Sequence, residues 1–194
     1  MSTPARILTV CTGNICRSPF LERALQHELD QSWGPGAVEV ASGGTGALAG
    51  QPMEGQAQTL LAARGYSADG FVAQHLTADL IARSDLVLTA TRAHRGKVAS
   101  LHPRALRYVF AFREFADLLY GVPDDELHVP GEQARDHVGR VVALAAAQRG
   151  LRPPLDDVDA DIVDPYRRAP EVFDTMSRQI LDALPGVVRA LRSA

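Results

Sequence analysis

The sequence predicts an α/β fold in three layers, a four-stranded parallel sheet with helices on both faces. Three observations predict it. Short apolar runs alternate with helix-like stretches along most of the chain. The first run passes through a compact loop straight into a helix start, the order expected of a βα unit. A chain of 194 residues, 46% hydrophobic, is long enough to bury one core without disulfide staples.

Taken in order, Arg6-Ile7-Leu8-Thr9-Val10 forms the first expected strand. The loop Cys11-Thr12-Gly13-Asn14-Ile15-Cys16-Arg17-Ser18 comes next, and Ser18 is a natural N-cap with Pro19 at the first helical position. Ala37-Val38-Glu39-Val40 makes a second strand that ends in the glycine-rich Ser42-Gly43-Gly44-Thr45-Gly46. Pro52 opens a helix running to Gly65, and Thr77-Ala78-Asp79-Leu80 starts a short one. Asp85-Leu86-Val87-Leu88 is the third strand, Thr91 caps the next helix, and Arg107-Tyr108-Val109-Phe110 is the fourth strand.

Beyond these elements lies an extra stretch around 121–161. It contains a helix-like segment from Glu132 to Arg149, with apolar positions at Val138, Val141, Val142 and Ala145. Such a stripe usually marks a core face, so added packing on the helical layer is one expectation and a lid or partner surface is the other. Leu151-Arg152-Pro153-Pro154 and the acidic run Asp156-Asp157-Val158-Asp159-Ala160-Asp161 are expected to form an exposed loop. One domain over residues 1–194 with a helical insertion is the expected organisation.

The loop carries the chemistry. A thiol at Cys11 and a guanidinium at Arg17 stand six positions apart between an apolar strand and a helix. A loop of this length wraps a tetrahedral oxyanion with the backbone N–H groups of Thr12, Gly13, Asn14, Ile15, Cys16, Arg17 and Ser18, while Arg17 closes the open side with a two-pronged contact. The helix N-terminus favours negative charge there, and together with Arg17 it favours the thiolate over the thiol at Cys11. Cys16 is either a small buried residue or the partner of Cys11 in a reversible disulfide that shields the nucleophile.

Together with a second string, Asp164-Pro165-Tyr166 followed by Phe173, this loop resembles the signature of the low-molecular-weight protein tyrosine phosphatases. The resemblance covers about residues 5 to 120 and 160 to 190. It implies a strand order of 2-1-3-4, all parallel, with the loop at the carboxyl end of the strands, where open α/β sheets bind ligands. It also implies hydrolysis of phosphate monoesters, phosphotyrosine in proteins or small aryl phosphates, through a cysteinyl-phosphate on Cys11 with Asp164 as general acid and then base. No metal or other cofactor is implied.

On composition alone Asp161 or Asp159 could be the acid, but Pro165 restricts Asp164 to an extended conformation suited to aiming a side chain, and Tyr166 offers a face for a substrate ring. The family pattern assigns supporting roles to Asn14, Ser18 and Ser42 and puts Leu48 on the cleft wall where many members carry an aromatic residue. Where members often have a histidine and an arginine in this network, the chain has Phe71 and Gln74, with His75 near enough in sequence to compensate. The alternatives are an arsenate reductase of the same fold using an external thiol and a silent phosphotyrosine-binding adaptor. Asp164-Pro165-Tyr166 favours hydrolysis over the first, and an intact Cys11, Arg17 and Asp164 argue against the second.

Composition bounds the rest. Two cysteines, both in the loop, cannot staple distant segments and fit a reducing compartment. A net charge of −3 speaks against a nucleic-acid binder, and Lys97 is the single lysine. Met1-Ser2-Thr3-Pro4 leads into the first strand without a basic or apolar leader pattern, and no segment approaches transmembrane length, so a soluble cytoplasmic protein is expected.

Overall fold

The computed structural model describes residues 3–194, so Met1 and Ser2, and the side chain of Asp157 in the acidic run, lie outside the described residues. Its elements are β1 (Ala5–Cys11), α1 (Arg17–Trp33), β2 (Val38–Gly44), α2 (Gly55–Ala62), α3 (Ala78–Ala82), β3 (Leu86–Thr89), α4 (Arg92–Leu101), a 3₁₀ turn (Pro103–Arg107), β4 (Val109–Ala111), α5 (Phe112–Tyr120), α6 (Asp124–Leu127), α7 (Ala134–Gln148), α8 (Asp157–Ala160) and α9 (Pro170–Leu191). The four strands run parallel in the order β2-β1-β3-β4, as expected.

Both faces of this sheet are covered, which is why its strands are apolar almost throughout rather than alternating. Ile7, Leu86, Leu88 and Phe110 face the larger core with α1, α2, α5, α7 and α9, whereas Leu8, Val10, Val87 and Val109 face a smaller core closed by Ile81 of α3 and Val98 of α4. Register places the site. Val10 pairs with Thr89 at the end of β3, while Cys11 is opposite Gly44 alone, so β1 delivers Cys11 one residue beyond the β3 pairing.

Several boundaries differ from the sequence expectation, each for a local reason. β2 runs on through Ser42, Gly43 and Gly44 because these residues pair with Thr9, Val10 and Cys11, and a Cβ at Gly44 would lie 2.5 Å from the Thr12 carbonyl oxygen. α2 starts at Gly55 rather than Pro52, because the Glu54 carboxylate caps it by accepting from the Gln56 and Ala57 amides. β4 begins at Val109, since Pro103–Arg107 is wound into a 3₁₀ turn. The acidic run is not wholly an exposed loop: Asp157–Ala160 makes one helical turn, and Ala160 and Ile162 are buried.

The helix of the extra stretch forms from Ala134 to Gln148, and its Val138, Val141, Val142 and Ala145 are buried in the same core as Ile180 and Leu184 of α9. The apolar stripe therefore faces the core. At its end Arg149 donates to the carbonyls of Leu106 and Val109 and lies over the Phe110 ring, 3.9 Å from its centroid. Because Val141 is fully buried, Val141→Ala should destabilise the protein by about 2 kcal/mol, measured from urea unfolding, whereas Val129→Ala on the exposed α6–α7 connection should change stability by less than about 0.5 kcal/mol. Equal, negligible effects would mean that α7 is dispensable packing.

Candidate active site

The loop after β1 is held by its carbonyls. Thr45, Gly46, Leu48 and Glu54 donate their backbone N–H groups to the carbonyls of Cys11, Thr12, Gly13 and Ile15 at 3.0, 3.0, 3.0 and 2.8 Å. No cis peptide occurs among the described residues. In a trans peptide the N–H is antiparallel to the C=O, so tying these four carbonyls to the outer segment turns the N–H groups of Thr12, Gly13, Asn14 and Cys16 the other way, into the loop. Converging backbone N–H groups of this kind form a concavity suited to an anion.

Turning the chain this tightly requires a left-handed residue, and Asn14 supplies it at φ 55°. Its fully buried amide then bonds in three directions. Nδ2 donates to Ser18 Oγ at 2.9 Å and to Ser42 Oγ at 2.7 Å, and Oδ1 accepts from the Gln74 amide at 2.8 Å. Since the amide nitrogen only donates, Ser18 Oγ accepts from it and keeps its own proton for Cys11 Sγ, 2.9 Å away. By the same logic the Ser42 hydroxyl donates to the Glu22 carboxylate.

The helix start differs from expectation. α1 begins at Arg17 with Cys16 at the cap position, so Pro19 is the third helical residue, and Ser18 does not cap because its hydroxyl serves Asn14 and Cys11. The first intrahelical bond runs from the Phe20 N–H to the Cys16 carbonyl, which leaves Pro19 among the positions that need no intrahelical donor.

Arg17 is buried, yet its guanidinium faces the acid-bearing segment. Nη2 lies 2.7 Å from Asp164 Oδ2, Nη1 donates to the Ile162 carbonyl at 3.4 Å, and Nε is buried without a partner among the described residues. The segment is anchored at both ends of Ile162-Val163: Ile162 donates to the Ala90 carbonyl at 2.8 Å and the Val163 amide to Gln179 Oε1 at 2.9 Å. Asp164 Oδ1 accepts from the Tyr166 amide at 3.2 Å, an Asx turn that Pro165 supports. The other acidic candidates point elsewhere. Asp161 accepts from the Arg92 amide at 2.8 Å, and Asp159 lies 4.0 Å from Arg113.

Together these elements enclose a cleft of about 120 Å³ lined by Cys11, Thr12, Gly13, Ile15, Cys16, Arg17, Gly46, Leu48, Asp164 and Tyr166. Asn14, Ser18 and Ser42 stand behind it as the buried network. Leu48 and Tyr166 are half-exposed at its mouth, and the Arg167 guanidinium lies over the Tyr166 ring, 5.1 Å from its centroid. Both cysteines are free thiols, and burial, reinforced by negative charge at Cys11, pushes the Cys16 thiol up to about 12.

Gln74 does belong to the network, donating its side-chain amide to the Ser42 carbonyl at 2.9 Å as well as its backbone N–H to Asn14. His75 does not compensate for anything: it is exposed and pairs with Gly44 through backbone alone. Phe71 is buried, with the Arg23 guanidinium 5.8 Å from its ring centroid.

Two contributors are not identified by sequence reasoning. Glu22 lies one helical turn beyond Ser18, and burial pushes its carboxyl up while the Ser42 hydrogen bond opposes that rise. His94 is buried with both ring nitrogens bonded, Nε2 to Thr12 Oγ1 at 2.9 Å and Nδ1 to Thr91 Oγ1 at 2.6 Å. Burial, reinforced by the Arg17 charge, lowers its pKa to about 4. The helix cap at Thr91 was the one sequence signal that pointed toward it. Among the described residues no cluster of His, Cys, Asp or Glu is arranged to hold a metal ion, and no helix is long and apolar enough to cross a membrane.

Residues 6–143 match the family model described as low molecular weight phosphotyrosine protein phosphatase. The chain is 35% identical over 136 residues to a probable low molecular weight protein-tyrosine-phosphatase, EpsP, of Ralstonia nicotianae, covering 70% of this chain and 90% of that one. It is likewise 35% identical over 146 residues to the low molecular weight protein-tyrosine-phosphatase Etp of Escherichia coli, covering 75% and 93%. Among solved structures, Vibrio vulnificus Wzb in complex with benzylphosphonate superposes with a TM-score of 0.66 at 26% identity, over 95% of this chain and 97% of that one. The family-model match ends inside α7, whereas the match to the Wzb structure covers 95% of this chain. The chain belongs to the low molecular weight phosphotyrosine protein phosphatase family.

Proposed function

We propose that this chain hydrolyses phosphotyrosine in proteins through a covalent phosphoryl intermediate on Cys11, acting as one domain in the reducing cytoplasm. The observation that carries the proposal is the meeting, in one cleft, of the Cys11 thiol, the inward-turned loop amides and the Arg17–Asp164 pair.

Cys11 Sγ attacks phosphorus in line, forming the S–P bond as the P–O bond to the tyrosyl oxygen breaks, and Asp164 gives its proton to that oxygen. A water molecule then attacks phosphorus on the opposite side from sulfur. Asp164, now a carboxylate, takes its proton, the S–P bond breaks, and the Cys11 thiolate and inorganic phosphate are regenerated. Loop amides and Arg17 hold the equatorial oxygens through both steps. In the free protein Asp164 occupies the Arg17 guanidinium, and an arriving phosphate dianion takes over those donors and frees Asp164 for the leaving group.

Selectivity between the two thiols rests on their surroundings. Cys11 accepts a proton contact from Ser18, whereas Cys16, its pKa near 12, stays protonated and leaves one nucleophile in the loop. Tyr166 and Leu48 flank the mouth, a depth suited to an aromatic phosphate. The Wzb structure with benzylphosphonate, an aryl-methyl phosphonate, is consistent with such a cleft. Both cysteines lie in the loop, and the relatives carry phosphatase names, so arsenate reduction has nothing specific in its favour.

Phosphotyrosine peptides should be turned over in preference to phosphoserine peptides. Cys11→Ser should abolish turnover while phosphate still binds, and Asp164→Ala should slow it by about 10²–10⁴-fold; steady-state assays with calorimetric phosphate titration check all three, and unchanged turnover in Cys11→Ser would sink the mechanism. A further expectation concerns His94. Its pKa is about 4 in the folded protein against an ordinary 6.5, so the unfolded chain binds the extra proton first, and the native state loses stability as pH falls from 6.5 to 4. The loss attributable to His94 is on the order of 3 kcal/mol. Urea unfolding across that window should show a shallower acid decline for His94→Asn than for the unsubstituted protein, and parallel declines would refute the assignment.

A further inference from the structure

Directly after Asp164 the chain makes a tight turn whose third residue is an arginine. The Arg168 N–H donates to the Pro165 carbonyl at 2.9 Å, and Arg167 stands in the left-handed region at φ 59°. That position of a β-turn ordinarily falls to glycine or asparagine when φ is positive, because a side chain there crowds its own backbone. Among the described residues the other non-glycine with positive φ is Asn14, whose buried side chain bonds in three directions. Arg167 is exposed, and its guanidinium meets the Tyr166 ring, 5.1 Å from the centroid. Glycine would serve this turn as well or better. What arginine adds is a cation beside the wall of the cleft.

Nothing in the chain neutralises that cation. Asp164, the carboxylate nearest before it, lies 2.7 Å from Arg17 Nη2, and Glu171 in the first turn of α9 pairs with neither Arg167 nor Arg168 among the described residues. Arg168 is exposed as well. The whole chain carries a net charge of −3, so the positive rim is local rather than part of a basic surface. A cleft of about 120 Å³ has room for little more than a phosphorylated side chain, which leaves the residues on either side of a phosphotyrosine outside, across the rim that Tyr166 and Arg167 form. An arginine fork placed there matches a carboxylate.

We infer that Arg167, with Arg168 beside it, is a specificity-determining residue that selects phosphotyrosine flanked by acidic residues. The inference rests on the phosphotyrosine reading above and names the substrate class within it. Because the contact is solvent-exposed, it sets a modest preference that salt weakens.

The test is calorimetric titration of the full chain carrying Cys11→Ser with three phosphotyrosine peptides, identical except for Glu, Gln or Lys on both sides of the phosphotyrosine. At low ionic strength the Glu peptide should bind about fivefold more tightly than the Gln peptide, with the advantage shrinking as sodium chloride is added. Arg167→Gly should remove most of that advantage while the urea midpoint stays unchanged or rises, and Arg167→Glu should place the Lys peptide ahead of the Glu peptide. Equal affinity for the Glu and Gln peptides overturns the inference, as does an advantage that survives both substitutions. A loss shared equally by the Glu and Gln peptides also overturns it, since that is the mark of an arginine that only braces Tyr166. Failure of the phosphotyrosine reading itself looks different: none of the three peptides binds, and the inference falls with it.

Discussion

The buried amide of Asn14 is the contact on which the rest of the site depends. It sits in the left-handed region, at φ 55°, and its side chain bonds to Ser18, Ser42 and Gln74. A non-glycine residue in that conformation, fully buried, persists only when its surroundings over-determine it. Here three elements do so at once: the start of α1, the end of β2 and the segment after Gly70. Loosening any one of them frees the turn that brings the loop amides together, and with it the hydroxyl of Ser18 that faces Cys11.

Charge in the cleft is arranged around this frame with Arg17 as its cation. Arg17 is buried and paired with Asp164, Cys16 is held as a thiol and His94 as a neutral ring, each by burial before any other cause. Desolvation thus suppresses competing charges, while the backbone amides, whose dipoles need no reorganisation, receive the anion. A neutral His94 matters for this balance because a second cation beside Thr12 would compete with Arg17 for the phosphate.

Much of this was legible where chemistry demands particular residues in contiguous order. The string from Cys11 to Ser18 had to be read whole, and Asp164-Pro165-Tyr166 carried its own conformational signal in the proline. What escaped was set by contacts distant in sequence. His94 meets a loop residue 82 positions away, and Glu22 meets Ser42 across 20. Neither separation leaves a local pattern. Gln74 looked like a departure from the family because its role falls largely to a backbone N–H, which every residue but proline offers. Strand β2 ran longer than propensity suggests because glycine, poor in strands, is what the Thr12 carbonyl tolerates at 2.5 Å from a hypothetical Cβ. The α7 stripe was readable as a core face by its period, yet nothing in it foretold that its trailing arginines would line a cavity against α4 and α5.

The central claim is that phosphorus is transferred to Cys11 before water receives it. The direct measurement is rapid quenching of the unsubstituted protein during turnover of a phosphotyrosine peptide, and then mass spectrometry of the peptide containing Cys11. A phosphoryl adduct on Cys11 that forms with the burst of released tyrosyl peptide and decays with the steady-state rate is the predicted result. Release of phosphate without any adduct, or an adduct on another residue, would contradict it.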